Sequence, residues 1–134
     1  MTAHRELLPP GWPRPKGYAN GIAARGRLVV TGGVVGWDAD EKFTSDTLAG
    51  QFAQVLANIV AILAEGGAGP EHVVRMTCYV TDIEAYRGGL ADIGAAWRAH
   101  MGKNFPAMAL VAVTSLVEPA AKIEIEATAV VPEL

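Results

Sequence analysis

Residues 73–82 read Val73-Val74-Arg75-Met76-Thr77-Cys78-Tyr79-Val80-Thr81-Asp82. As far as Val80 the stretch alternates: Val74, Met76, Cys78 and Val80 point one way, and Arg75, Thr77 and Tyr79 the other. A period of two is that of a strand with one buried face. The helical period takes over on either side. Upstream, Leu48, Phe52, Val55, Leu56, Ile59 and Leu63 share one face of a predicted helix running from 47 to about 65. Gly66-Gly67-Ala68-Gly69-Pro70 ends it, because glycine supplies a left-handed cap and proline blocks continuation. Downstream, Thr81-Asp82-Ile83-Glu84 has capping-box spacing. Tyr86, Leu90, Ile93, Trp97 and Met101 then form the apolar stripe of a second predicted helix, which Gly102 closes. A strand set between two helices with apolar stripes points to helices laid on a sheet.

Working outward, residues 18–32 carry two short strand-like runs with Arg25-Gly26 as a hairpin turn between them. Arg27-Leu28-Val29-Val30-Thr31 is the clearer run; Gly32-Gly33 ends it, and Gly36-Trp37-Asp38-Ala39-Asp40 reads as a loop. Residues 1–17, with Pro9, Pro10, Pro13 and Pro15, form an extended N-terminal segment. Toward the C-terminus, residues 110–113 and 122–131 read as strands joined by a turn around Glu118-Pro119. In the last strand Ile123, Ile125, Ala127 and Ala129 alternate with Lys122, Glu124, Glu126 and Thr128. The predicted order is β-β-α-β-α-β-β. It makes residues 1–134 a single α+β domain, a mixed sheet with two helices on one face. Each half reads strand, helix, strand, which suggests an internal pseudo-duplication.

Hydrophobic residues make up 51 % of the 134 residues and charged residues 19 %, and mean hydropathy is +0.24. Disorder needs the opposite balance. No apolar run reaches the ~20 residues of a membrane-spanning helix, so no membrane partner is expected. The apolar excess belongs in a core or in subunit contacts. Two helices cover only one sheet face. The other carries Arg75, Thr77, Tyr79, Lys122, Glu124 and Glu126, a mixture that suits an interface, and residues 110–113 are apolar on both faces. A symmetric homo-oligomer would supply the missing cover.

The net charge of −3, with scattered cations, argues against nucleic acid as a partner. The single cysteine, Cys78, excludes an intrachain disulfide and reads as a buried structural thiol. Met1-Thr2-Ala3-His4-Arg5-Glu6 holds no apolar secretory core, which makes the cytoplasm the expected location. His4, His72 and His100 share no ligand spacing, so neither a metal nor another cofactor is expected. Ser45 and Ser115 are the only serines, and neither sits in a G-x-S-x-G context. Carboxylates remain. Glu124 and Glu126, two apart on one strand, share a face. Buried between subunits, one of them would be desolvated and its pKa raised toward the range of general acid–base work. Left in solvent, they form a wet or ion-paired strand face, with Lys122 as a partner. Gly88-Gly89, inside the second predicted helix, costs roughly 1–2 kcal/mol against alanine and calls for a close approach or a local distortion.

Several segments are recognisable together. They are Lys16-Gly17-Tyr18-Ala19, Leu28-Val29-Val30-Thr31-Gly32-Gly33, and Gln51 through Asn58 followed by Leu63 and Gly66-Gly67. The 73–82 stretch, Phe105-Pro106-Ala107 and Lys122-Ile123-Glu124-Ile125-Glu126-Ala127 complete the set. In this order and spacing, from about Pro15 to Val131, the chain resembles the RidA/YjgF family, also known as endoribonuclease L-PSP-like. The resemblance implies a chorismate-mutase-like fold and a homotrimer with three small-molecule clefts between subunits. It implies hydrolysis of reactive enamines and imines, such as 2-aminoacrylate, to a keto acid plus ammonia. On matching positions, Glu124 would orient the attacking water, Tyr18 would line the cleft, and the backbone N–H of Gly32 would face it.

Other positions depart from the family pattern. Gly33 replaces a glutamine, Leu90 an asparagine, and Met108 the arginine that follows Pro-Ala and grips the substrate carboxylate. Leu110 joins the implied substrate-binding set. Methionine offers no bidentate fork to a carboxylate. With Met108 and Leu90 the pocket is apolar. The expected ligand is therefore bulkier than free 2-aminoacrylate and lacks a carboxylate at that point, for example an aromatic-pathway intermediate or an acylated enamine. The other reading is a non-catalytic trimer that binds a small metabolite. Trp12 and Trp37 read either as packing against a neighbour or as walls for a planar ligand.

Overall fold

Residues 4–133 are described by a computed structural model of the chain; the outermost part of the 1–17 segment and the last residue lie outside it. Among the described residues seven strands are formed: β1 (Arg5–Glu6), β2 (Ile22–Ala23), β3 (Arg27–Val30), β4 (Val34–Val35), β5 (Val73–Val80), β6 (Ala107–Ala112) and β7 (Ile123–Val131). Three α-helices accompany them, α1 (Leu48–Glu65), α2 (Ile83–Gly88) and α3 (Leu90–Met101). The main sheet runs β3-β7-β5-β6, with β4 also paired to β7. Its pairs are antiparallel except β5–β6, which is parallel, so this is a mixed α+β sheet. Strand β6 is an edge.

The core lies between α1, α3 and one sheet face. Val55, Leu56, Ile59 and Leu63 of α1 are fully buried, as are Met76, Cys78 and Val80 of β5 and Ile123 and Ile125 of β7. Each such leucine or isoleucine contributes about 1.5–3 kcal/mol by leaving water. Helix α1 is long and apolar enough to cross a membrane by length and composition, but its apolar stripe is the one packed on the sheet. Thr47 caps it, its Oγ1 accepting from Gly50 N at 3.1 Å. At the other end a Cβ on Gly66 would sit 2.7 Å from Val29 Cγ1, so glycine lets the helix close onto β3.

Several sequence expectations need correction. The hairpin across Arg25-Gly26 does not form: β2 pairs with β1, and β3 pairs with β7 from Arg27↔Val131 to Val30↔Thr128. The short β2 cannot compete with a nine-residue partner such as β7. Gly26, at φ +149, lies so close to β7 that a Cβ would fall 2.7 Å from the Val131 carbonyl carbon. The extended N-terminal segment contributes β1. In β5 a bulge between Val73 and Arg75 shifts the phase, so Val73 is buried in place of Val74. The second helix is broken into α2 and α3 at Gly88-Gly89, which is the local distortion those glycines called for. Its cap is Asp82, not Thr81: Asp82 Oδ1 accepts from Glu84 N at 3.1 Å and Ala85 N at 3.2 Å. Strand β6 begins at Ala107, three residues before the predicted start, and β4 forms at Val34–Val35, between Gly32-Gly33 and the 36–40 loop, where no strand is expected.

The face away from the helices is uncovered. Pairing sets Glu124 beside Tyr79 and Glu126 beside Thr77. The same face takes Leu28 and Val30 from β3 and Val111 from β6, which are 64 %, 57 % and 44 % exposed. An apolar side chain left this open on a sheet face is a large exception to the burial of the rest.

Candidate functional site

The sequence-predicted site residues fall on two different surfaces of one chain. The first is the uncovered sheet face. Between β3 and β4 the backbone loops out at Thr31-Gly32-Gly33 while both strands stay paired to β7. Thr31 fixes this loop: its N–H donates to Ala127 O at 2.9 Å, and its Oγ1 accepts from Ala127 N at 3.0 Å. The loop brings Gly33 under the half-buried Glu124. A Cβ built on Gly33 would strike the Glu124 carboxylate, with Cδ at 2.8 Å, whereas around Gly32 the space is open. Glycine at 33 is what allows the carboxylate to lie across the loop.

The two glutamates of β7 are not equivalent. Glu126 accepts a 2.8 Å hydrogen bond from Tyr79 Oη, and this bond, followed by desolvation and the charges of Glu126 and Glu124, raises the tyrosine pKa against the opposing pull of Arg75. Glu124 carries neither a hydrogen bond nor an ion pair among the described residues. The ion pair with Lys122 is absent: the ion pairs among the described residues are the exposed Arg14–Glu6 at 3.7 Å and Arg87–Glu84 at 2.8 Å. The carboxylate nearest the glycine loop is therefore the one left available.

The second surface is a groove of about 730 Å³ between α2, α3, β6 and the end of the N-terminal segment. Tyr18, Leu90, Met108 and Leu110 all line it. Met108 pairs across from Met76 and Leu110 from Cys78, so both point to the helix side of the sheet, away from Glu124. The Ala19 N–H donates to Pro106 O at 2.9 Å, which ties Tyr18 to the start of β6. The deeper wall was not legible as a site. Trp97 and Phe105 stack there with ring centroids 6.0 Å apart and planes at 9°, alongside Phe52, Tyr86 and Ile93. Trp97 and Ile93 lie on the apolar stripe and read as core. Burial raises the pKa of the Tyr86 hydroxyl and keeps it protonated. The indole N–H of Trp97 is buried without a hydrogen-bond partner.

Other candidates resolve more simply. Trp37 packs tilted on Phe43 at 5.8 Å, and Asn58 Nδ2 holds its carbonyl at 2.8 Å. Trp12 is 59 % exposed and lines neither surface. A further hollow of about 810 Å³ lies under the 114–122 loop. The buried Gln51 braces that loop, donating to Ser45 O and Ala120 O and accepting from Lys122 N at 2.7 Å. His72 Nδ1 accepts from Gly69 N and so closes a turn.

Comparison with known proteins bears on this arrangement. The family model described as endoribonuclease L-PSP matches residues 13–131. A 2-iminobutanoate/2-iminopropanoate deaminase of Salmonella typhimurium is 31 % identical over 113 residues, 84 % of this chain and 86 % of that protein. A RutC family protein of Aquifex aeolicus is 31 % identical over 84 residues, which span 62 % of this chain and 66 % of the relative. Among solved structures, YyfB of Yersinia pestis, a Rid-family protein of unknown function, superposes with a TM-score of 0.84 at 30 % identity, covering 96 % of this chain and 98 % of its own. With the sheet order, the glycine loop and the paired glutamates in place, the chain belongs to the RidA/YjgF family, the family of endoribonuclease L-PSP.

Proposed function

We propose that the protein hydrolyses a small reactive enamine or imine at a site assembled between subunits of a homotrimer. The observation that carries this reading is the division of the site. Glu124, Gly32 and Gly33 stand on the open sheet face, while Tyr18, Leu90, Met108 and Leu110 line the groove on the helix side. One chain cannot bring both sets to a single ligand. A neighbouring copy docked on the open face can, its groove facing the first chain's glutamate. In this reading the groove holds the ligand and Glu124 takes a proton from water as the water oxygen adds to the imine carbon. That proton passes to nitrogen to give a carbinolamine. As its C–N bond breaks, its hydroxyl proton passes by way of Glu124 to the departing nitrogen, and the products are a carbonyl compound and ammonia, an enamine entering as its imine tautomer. No cofactor is required. The likeness to the Salmonella deaminase supports this chemistry, and the acidic balance of the chain supports a small molecule over RNA as the ligand. The free, buried Cys78 suits a reducing cytoplasm.

Met108 shapes the substrate. It cannot hold a carboxylate, so free 2-aminoacrylate should turn over poorly and a bulkier apolar imine better. The same residue favours a second reading, a trimer that binds its metabolite without turnover. Glu124→Gln separates the two. As an enzyme, the variant keeps ligand affinity and loses at least about a hundredfold in the rate of ammonia release, the usual size of one proton-transfer group. Ligand binding by the unaltered protein, without ammonia release from any imine or enamine tried, would establish the binding reading.

A further inference from the structure

The groove has a charge pattern that its apolar walls do not need. Lys16, Arg98 and Lys103 line it and no carboxylate does, although the whole chain carries a net charge of −3. All three cations are exposed, and none forms an ion pair among the described residues. Arg98 is drawn inward by its neighbour one turn earlier. A Cβ on Gly94 would lie 3.3 Å from Arg98 Nη1, so the guanidinium folds over the bare glycine. Both residues line the groove. Behind this basic mouth stand Ile93, Trp97, Phe105, Met108 and Leu110, enclosing about 730 Å³. That is room for a drug-sized ligand and far more than a three-carbon acid fills.

We propose that the groove binds an amphipathic organic anion, an aryl or long alkyl carboxylate. Its apolar body lies against Trp97, Met108 and Leu110, and its carboxylate meets Arg98 and Lys103, with Lys16 closing the third side. The acid is then recognised from α3 and the turn after it, not from β6, where Met108 offers no cation. A charge-assisted hydrogen bond beside an apolar wall is stronger than one in open water. The Tyr86 hydroxyl adds a neutral donor to the same wall. This inference deepens the proposed function, resting on the groove as its ligand-holding half, but it does not require Glu124 or turnover.

Calorimetric titration with 4-phenylbutanoate and its neutral isostere 4-phenylbutanamide tests it. The acid should bind at least tenfold more tightly than the amide. Raising ionic strength to about 0.5 M should weaken the acid alone, because exposed cations are then screened. Arg98→Met with Lys103→Met should remove the preference while leaving the amide unaffected; both positions are exposed, so the fold is not at risk. Gly94→Leu should abolish binding of both probes. Equal affinity for acid and amide, binding of neither, or a preference that survives the double substitution would overturn the inference. If neither probe binds but an imine is still hydrolysed, the inference fails and the proposed function stands. If 4-phenylbutanoate binds as expected and no imine is hydrolysed, the reverse holds.

Discussion

Single residues carry much of what is particular to this chain. Gly33 shows how a loss of side chain can position a functional group: its missing Cβ is what lets the Glu124 carboxylate cross the loop. The sequence pattern marks the position but not this contact, because it joins residues far apart in the chain. Cys78 is the opposite case, legible from its alternating surroundings and buried as expected. Burial pushes its thiol from 9.0 up to about 12. The native thiol should therefore be inert to disulfide exchange reagents at pH 8–9 and react only when the protein unfolds. Stability has a matching pH dependence. The folded state holds the proton more tightly, so this contribution is complete below pH 9 and is lost as pH rises from 9.0 toward about 12, where only the unfolded chain has ionised. Denaturant unfolding between pH 8 and 10.5 should show that fall. In Cys78→Ala it should be reduced, although the smaller side chain lowers stability at every pH.

At the scale of elements, long periodic segments are legible, as is the four-residue β3, whereas the partners of the short strands are not. The helix α1 and strands β5 and β7 emerged because each repeats its period enough times to outweigh local exceptions. The two-residue strands β1 and β4 exist only because β2 and β7 offer partners, and β2 itself falls in an expected strand-like run but pairs with β1; pairing at such distance leaves no local signal. The break between α2 and α3 was visible as a cost before it was visible as a bend. Its glycines now divide. Gly88 is the last residue of α2 with open space around its Cα, whereas a Cβ on Gly89 would fall 3.0 Å from Ala85 O. Gly88→Ala should stabilise the protein by about 0.5–1 kcal/mol by restricting the unfolded chain, while Gly89→Ala should give no such gain. Asp82→Ala should cost about 1 kcal/mol through loss of the α2 cap, and Thr81→Ala markedly less. Chemical denaturation of the four variants checks the ranking.

For the whole molecule the apolar excess of the composition has two visible destinations. One is the core under α1 and α3. The other is the uncovered face, where Leu28, Val30 and Val111 surround a row of polar residues. A chain that buries Met76, Cys78 and Ile125 completely yet leaves Leu28 at 64 % exposed has an unequal distribution, which a subunit contact would remove. The site geometry asks for the same contact from a different direction, since Glu124 and the groove lie on different surfaces. If one contact serves both needs, assembly and activity should fail together. Leu28→Asp with Val30→Lys should yield monomers by light scattering after size exclusion. The far-ultraviolet circular dichroism should be near that of the parent, because neither side chain belongs to the core. Imine hydrolysis should be lost in those monomers although every site residue is intact. Mixing them with an excess of Glu124→Gln chains should restore little activity, because the monomer cannot dock. Monomers that hydrolyse the imine at the parental rate would show that one chain suffices for the site.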